Sequence, residues 1–260
     1  MNLQRLKGEI ALVTGADSGI GQATAIAFAR EGADVAITYF RDRAGAEHTA
    51  REIEAAGRKA AVFQLDQRDS QAVAQLFRDL GSGPGMPTIL VNNAGINSIG
   101  KHVKDMTDEE WDNVIRTNLY GPFYCCREFI RGLEGSDRHG CIINITSVHQ
   151  EIPNAGAAGY DSSKGGLRNL TTTLALELAD KNINVNNIAP GMILTPMNQK
   201  AVDDAAVRDK KAQSIPMKRA GMPEEIAHAA VFLASEHARY IHGTTIVIDG
   251  ALMLFQGQGA

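Results

Sequence analysis

EIALVTGADSGIG (Glu9–Gly21) runs an apolar segment into a glycine-rich turn and then into a helical pattern. Ile10 to Val13 is apolar throughout and short, which reads as a buried strand. GQATAIAFAREG then spaces its apolar residues as a helix and closes on Gly32. A turn between such a strand and helix aims backbone N–H groups and the positive helix end outward, where a phosphate can sit. Gly15, Gly19 and Gly21 allow the positive φ angles and the close approach that this turn needs. Placed after the first strand of a β-α-β unit, the stretch predicts a dinucleotide-binding turn and a parallel α/β fold.

The same alternation continues outward. DVAITYF is a second strand, and AGAEHTAREIEAAG is a helix closed by Gly57. KAAVFQL is a third strand, DSQAVAQLFRDL a helix capped by Asp69 or Ser70, and TILVNNAG a fourth strand. Helical patterns follow around Asp108 to Ile115 and Asn118 to Gly132, then the strand CIINIT and a helix from Tyr160 to Asp180. NVNNIA, a helix from Pro223 to Ser235 with proline in its first turn, and TTIVID complete the pattern. The rhythm predicts a mainly parallel seven-stranded sheet, doubly wound, with helices on both faces. No linker or repeat divides residues 1–260, so one domain is expected. The segment from Gly191 to Gly221 is too long for an ordinary connection and is expected to act as a substrate lid.

Composition narrows the partners. A net charge of -4 gives no electrostatic reason for nucleic acid or an anionic membrane. No run is long and apolar enough to span a bilayer, and no basic-then-apolar leader opens the sequence. Cys125, Cys126 and Cys141 lack CxxC spacing, which fits a reducing, cytoplasmic setting and argues against zinc. No His, Cys or carboxylate spacing suggests a metal.

GYDSSKGG (159–166) places Tyr160 and Lys164 four apart, on one helix face. A free tyrosine, with a pKa of about 10, is a poor base at neutral pH. A nearby ammonium favours the phenolate, and moving the phenol to neutrality needs roughly 3 to 5 kcal/mol of such stabilisation. CIINIT ends in Thr146 and Ser147, thirteen positions before Tyr160, and NLYG contains Asn118.

The glycine spacing of TGADSGIG, the Asn92-Asn93-Ala94-Gly95 run and Tyr160-x-x-x-Lys164 together resemble the short-chain dehydrogenase/reductase family, over essentially the whole chain. The resemblance implies a Rossmann-type fold and an NAD(P)-dependent oxidoreductase that moves hydride between the cofactor and a secondary alcohol or carbonyl. It implies that Asn118, Ser147, Tyr160 and Lys164 are the catalytic group. Tyr160 would be the acid/base, Ser147 would hold the substrate oxygen, and Lys164 would bind the nicotinamide ribose and lower the tyrosine's pKa. Asn118 would hold local backbone and a relay water.

The resemblance also assigns the cofactor's contacts. Gly15, Asp17, Ser18, Gly19, Ile20 and Gly21 would meet the diphosphate and nearby ribose, and Asp66 and Gln67 the adenine. Asn93, Ala94 and Gly95 would line the ribose, and Pro190, Gly191, Ile193 and Thr195 the nicotinamide amide. The second strand ends in Tyr39, Phe40 and Arg41, without the carboxylate typical of NAD enzymes. Arg41 suits a 2′-phosphate, so NADP is expected, with NAD as a second cofactor; Asp17 opposes that preference.

SVHQEIP (147–153), SSKGG, NVNNIAPG and FQGQGA are similar to the bacterial glucose 1-dehydrogenase subgroup, which implies a sugar or polyol as the small-molecule substrate. Ser147, His149, Asn97, Asn154 and Met192 are the candidate substrate contacts. Asn97 stands where that subgroup has glutamate, and the small residues Gly156 to Gly159 are expected to widen the pocket. A broad carbonyl or 3-oxoacyl reductase is the alternative, and an inactive cofactor-binding regulator a remote one. The resemblance implies a homotetramer built on the two long helices and the last helix and strand, with the C-terminal LMLFQGQGA tucked against a neighbour.

Overall fold

The structure, a computed structural model, describes residues 4–255. Residues 256–260, most of the end expected to tuck against a neighbour, lie outside them. Seven strands form one sheet in the order β3-β2-β1-β4-β5-β6-β7. They are β1 (Ile10–Val13), β2 (Asp34–Tyr39), β3 (Ala60–Gln64), β4 (Ile89–Asn92), β5 (Gly140–Ile145), β6 (Ile183–Pro190) and β7 (Thr245–Ile248). Every adjacent pair is parallel, so the expected sheet is parallel throughout rather than mainly so.

Strand alternation sends neighbouring residues to opposite faces. Ala11 and Val13 of β1 enter one core with Phe28, Ile37, Ile53 and Val231, while Leu12 enters the other with Leu80, Phe129, Ile142 and Leu174. Helices α1 (Gly19–Arg30), α2 (Arg43–Ala55) and α9 (Pro223–Ala234) supply the first core. Helices α3 (Ser70–Ser82), α5 (Gly121–Leu133) and α6 (Ala158–Leu178) supply the second. Asp69 is the cap of α3, accepting from the amides of Gln71 at 2.8 Å and Ala72 at 3.3 Å. Helix α4 (Asp108–Ile115) starts on a reciprocal Thr107–Glu110 capping box. A π-helical turn, Arg116–Tyr120, joins α4 to α5, so Asn118 lies in that turn rather than at a new helix start.

The order reverses between β1 and β4, and the loops leaving their C-terminal ends diverge there into a crevice. The crevice is pinned by side chains. Thr14 Oγ1 accepts from the backbone amides of Asn93 and Ala94 at 3.0 and 3.1 Å. The Asn93 side-chain amide donates to the carbonyls of Thr14 and Gly15 at 2.9 and 2.8 Å.

Residues 191–221 leave the sheet after β6 and carry helices α7 (Gln199–Asp203) and α8 (Ala205–Ala212). The excursion closes on itself. Leu194 N donates to Gly221 O at 3.0 Å and Gly221 N to Met192 O at 2.9 Å. Beyond that seam, Arg219 grips Glu225 of α9 with two nitrogens at 2.7 and 2.8 Å. A last short helix, α10 (Leu252–Phe255), follows β7.

A Cβ on Gly21 would lie 2.3 Å from Gly15 O and 2.4 Å from the Asn93 amide, both parts of the pinned crevice. Gly21→Ala is therefore expected to cost about 1–3 kcal/mol of stability by overpacking. Chemical denaturation checks this, and an unchanged midpoint would refute the tight packing.

Candidate active site

One cavity of about 990 Å³ runs along the C-terminal edge of the sheet, at the upper end of the range for small-molecule sites. At one end lie Tyr39, Phe40 and Arg41 after β2 and Asp66 and Gln67 after β3; at the other lie Ser147, His149, Asn154 and Tyr160. Asp17, Ser18, Gly19, Ile20, Asn93, Ala94 and Gly95 line its middle, with Gly15 at the turn. Pro190, Gly191, Met192, Ile193, Thr195, Asn97 and Lys164 also line it. Two expected residues do not. Gly21 packs behind the glycine turn, and Asn118 is fully buried beneath the wall.

The middle of the cavity is a cradle for an anion. Gly15 has φ +60, and a Cβ there would lie 2.8 Å from Ala94 Cα. Gly19 lets Thr195 approach, since a Cβ on it would sit 3.1 Å from the threonine methyl. Ser18 occupies the N-cap of α1 but makes no side-chain capping bond, and Ser18, Gly19 and Ile20, at the start of this twelve-residue helix, line the cavity. Residues of this kind in a long cleft fit a dinucleotide.

At the β2 end, Arg41 lies over the Phe40 ring at 5.0 Å and Arg68 over the same ring at 5.5 Å. Arg68 is held by Asp66 at 2.6 Å and by Asn113 Oδ1 at 2.7 Å. Burial raises the Asp17 pKa above its ordinary value, and Asp42 adds to the rise. Gln67 is less available than its position suggests. Its amide donates to Ala94 O at 3.1 Å and Thr117 O at 2.7 Å, so it braces the wall.

At the other end, Tyr160 sits in the first turn of α6, which begins at Ala158. Tyr160, Lys164 and Ser147 are 9%, 5% and 5% exposed, so none is a solvated surface group. Lys164 Nζ donates to Ile145 O at 2.8 Å and lies 5.7 Å from the Tyr160 ring centre. Burial pushes the lysine down to about 8. The tyrosine also departs from the sequence expectation. Burial raises its pKa above 10, against a lowering contribution from the Ser147 hydroxyl, and Asp161 adds to the rise. Lys164 does not reverse that direction, because its ammonium is turned to a carbonyl and is itself weakened by desolvation.

Asn118 acts through backbone. Its Oδ1 accepts from Ile96 N at 2.8 Å, and its amide donates to Ile96 O at 2.9 Å and Ser163 Oγ at 3.1 Å. That fixes the Gly95–Asn97 wall opposite the tyrosine. His149 Nδ1 lies 2.9 Å from Ile152 O and must carry the proton, because a carbonyl only accepts. In the neutral ring its Nε2 is then an acceptor, and the ring lies 6.1 Å from that of Tyr160.

Gly156 to Gly159 do not widen the pocket. None lines the cavity: Gly156 O takes the amides of Gly100 and Lys101 at 2.9 and 3.2 Å, and Gly159 faces Val114 and Trp111. Thr38, Arg68, Asn113, Met197, Lys211 and Ser214 line the cavity without having been expected. They come from β2, the loop after β3, helix α4 and the 191–221 excursion, where side-chain direction depends on tertiary packing. Among the described residues no three His, Cys, Asp or Glu side chains gather as a metal site.

A family model described as enoyl-(acyl carrier protein) reductase matches residues 15–252. The 3β-hydroxysteroid dehydrogenase 1 of Eggerthella lenta is 42% identical over 252 residues, spanning 97% of this chain and 96% of the relative. Glucose 1-dehydrogenase 2 of Bacillus subtilis is 38% identical over 253 residues, 97% and 98% of the two chains. The chain belongs to the short-chain dehydrogenase/reductase family. A protein of Agrobacterium tumefaciens solved with bound NADP superposes with a TM-score of 0.88 at 37% identity, covering 98% of this chain and all of that one. As a short-chain dehydrogenase/reductase the chain is an oxidoreductase of CH–OH groups with a nicotinamide dinucleotide cofactor.

The buried lysine gives a direct check. Its ammonium is retained below about pH 8 and lost above it, whereas an ordinary lysine titrates near 10.4. NMR titration of Lys164, assigned with Lys164→Arg, should show a midpoint near 8. A midpoint above 10 would mean that the ammonium is not desolvated.

Proposed function

We propose that this short-chain dehydrogenase/reductase is an NADP-preferring dehydrogenase of a sugar-like or polyol secondary alcohol. The observation that carries the substrate reading is the His149 Nε2 acceptor close to Tyr160, with the amides of Asn97 and Asn154 in the same cavity. Several hydrogen-bonding side chains around one reaction point suit a polyhydroxylated molecule. The apolar groups Ile99, Met192, Met197 and Leu252, in the same wall, support a second reading, a carbonyl reductase of broader range.

In this reading Tyr160 exchanges a proton with the substrate oxygen, and Ser147 donates a hydrogen bond to that oxygen. Lys164, anchored on Ile145 O and 5.7 Å from the phenol ring centre, offsets part of the burial cost of ionising the phenol while it carries its charge. Asn118 holds Ile96, so the wall facing the reacting carbon does not move. The bound cofactor supplies hydride exchange and, when oxidised, a positive ring. Residues 191–221 act as the lid over the substrate.

Arg41, stacked on Phe40 at the cavity's far end, supports NADP, because a guanidinium suits a 2′-phosphate. We place the protein in the cytoplasm, a setting supported by three free, buried cysteines. Among the described residues no helix is long and apolar enough to cross a membrane. A homotetramer is supported by apolar groups left open on the long helices, with Leu176 85% exposed and Phe123 42%.

A panel of glucose, other polyols, simple secondary alcohols and ketones, assayed with NADP and NAD, tests the activity. Polyol oxidation should lead, and activity confined to simple ketones would favour the second reading. Tyr160→Phe should lower kcat about 10²–10⁴-fold with cofactor affinity little changed; a fully active variant would overturn the acid/base assignment. Arg41→Ala should weaken NADP binding about 10- to 100-fold and NAD binding far less, and equal losses would refute the phosphate contact.

A further inference from the structure

The cavity's charges are divided along its length. The β1–β3 half contributes Asp17, Arg41, Asp42, Asp66 and Arg68, where acids and guanidinium groups stand together. Arg68 pairs with Asp66 at 2.6 Å, and Asp42 is engaged as the cap of α2, accepting from Gly45 N at 2.9 Å. Among the described residues the β4–β7 half contributes two formal charges, both positive: Lys164 and Lys211. Lys164 is engaged with Ile145 O. Lys211 has no carboxylate within ion-pair distance among the described residues, and the residues three and four before it on α8 are Arg208 and Val207.

A lysine in the last turn of a helix has an ordinary explanation, since cations complement the C-terminal end of the dipole. Lys210 occupies that same turn, yet Lys211 is the one that lines the cavity. A cation facing a cleft with no acid to answer it raises the local concentration of anions and pairs with one that fits.

We propose that the substrate carries an anionic group away from its reacting carbon, and that Lys211 pairs with that group. The substrate class is then hydroxy acids or phosphorylated polyols, with the matching oxo compounds, rather than neutral sugars. The proposal rests on the dehydrogenase reading above and deepens it. Lys211 is a specificity residue here, and its effect belongs to the substrate's charge and not to the cofactor.

Matched charged and neutral compounds test this: gluconate against glucose, glucose 6-phosphate against glucose, and 4-oxopentanoate against its methyl ester. At least one charged member should exceed its neutral partner tenfold or more in kcat/KM, and the arm that responds distinguishes carboxylate from phosphate. Lys211→Met should collapse that ratio about tenfold, Lys211→Arg should retain most of it, and the Kd for NADP from fluorescence titration should stay within about twofold in both. If nothing turns over, the proposed activity fails separately, and calorimetric affinities of the same pairs for the NADP-loaded protein still read the preference. Equal values within every pair would overturn the proposal. So would a ratio that survives Lys211→Met, or a loss that appears in NADP binding instead.

Discussion

Thr14 and Asn93 tie the ends of β1 and β4 together at the place where the sheet changes direction. Parallel strands leave their loops free to splay at such a point, and four hydrogen bonds from two side chains prevent it. The consequences spread along the cavity. The tie sets the distance between the glycine turn and the Ala94–Gly95 wall, and so the space left beside Gly15. Asn118 then repeats the device one loop further on by holding both backbone groups of Ile96. Gln67 does so from the other side through Ala94 O and Thr117 O. Three amide side chains thus shape one wall, each by bonding backbone.

The reaction end shows a different balance. Desolvation acts on both members of the tyrosine–lysine pair against their charged forms, raising the phenol and lowering the ammonium. The site therefore does not hold a ready phenolate. It holds a neutral phenol and an ammonium whose charge is easily lost, close enough that any further positive charge entering the cleft shifts both. Coupling of this sort makes the pair sensitive to what is bound, which a pair in water would not be.

Much of this was legible in the chain because it follows local rules. Glu9–Gly21 carries strand, turn and helix signals in order, and the seven apolar runs became the seven strands. Asp69 starts α3 with its side chain, and Gly32, lacking one, follows the end of α1 at positive φ. The turn at Arg116–Tyr120 was not legible, because π-helical winding leaves no periodicity of its own. The direction of the Tyr160 shift was also hidden: spacing reveals that a lysine is near, but not that its ammonium is committed to a carbonyl. Gly156 to Gly159 looked like pocket residues by proximity to Tyr160, yet the bonds from Gly100 and Lys101 turn them away. Arg68 and Lys211 reach the cavity through folding of segments whose sequences say nothing of direction.

The seam at Met192–Leu194 and Gly221 means that residues 191–221 begin and end at one spot on the framework. A segment attached in this way can change in length or content while the strands beside it keep their register, since loop closure grows costly only slowly with length. Ser147 after β5, and Tyr160 and Lys164 on α6, lie outside that segment. Inheritance can therefore treat the two separately: the appended piece can drift while the hydrogen-bonded frame is passed on intact.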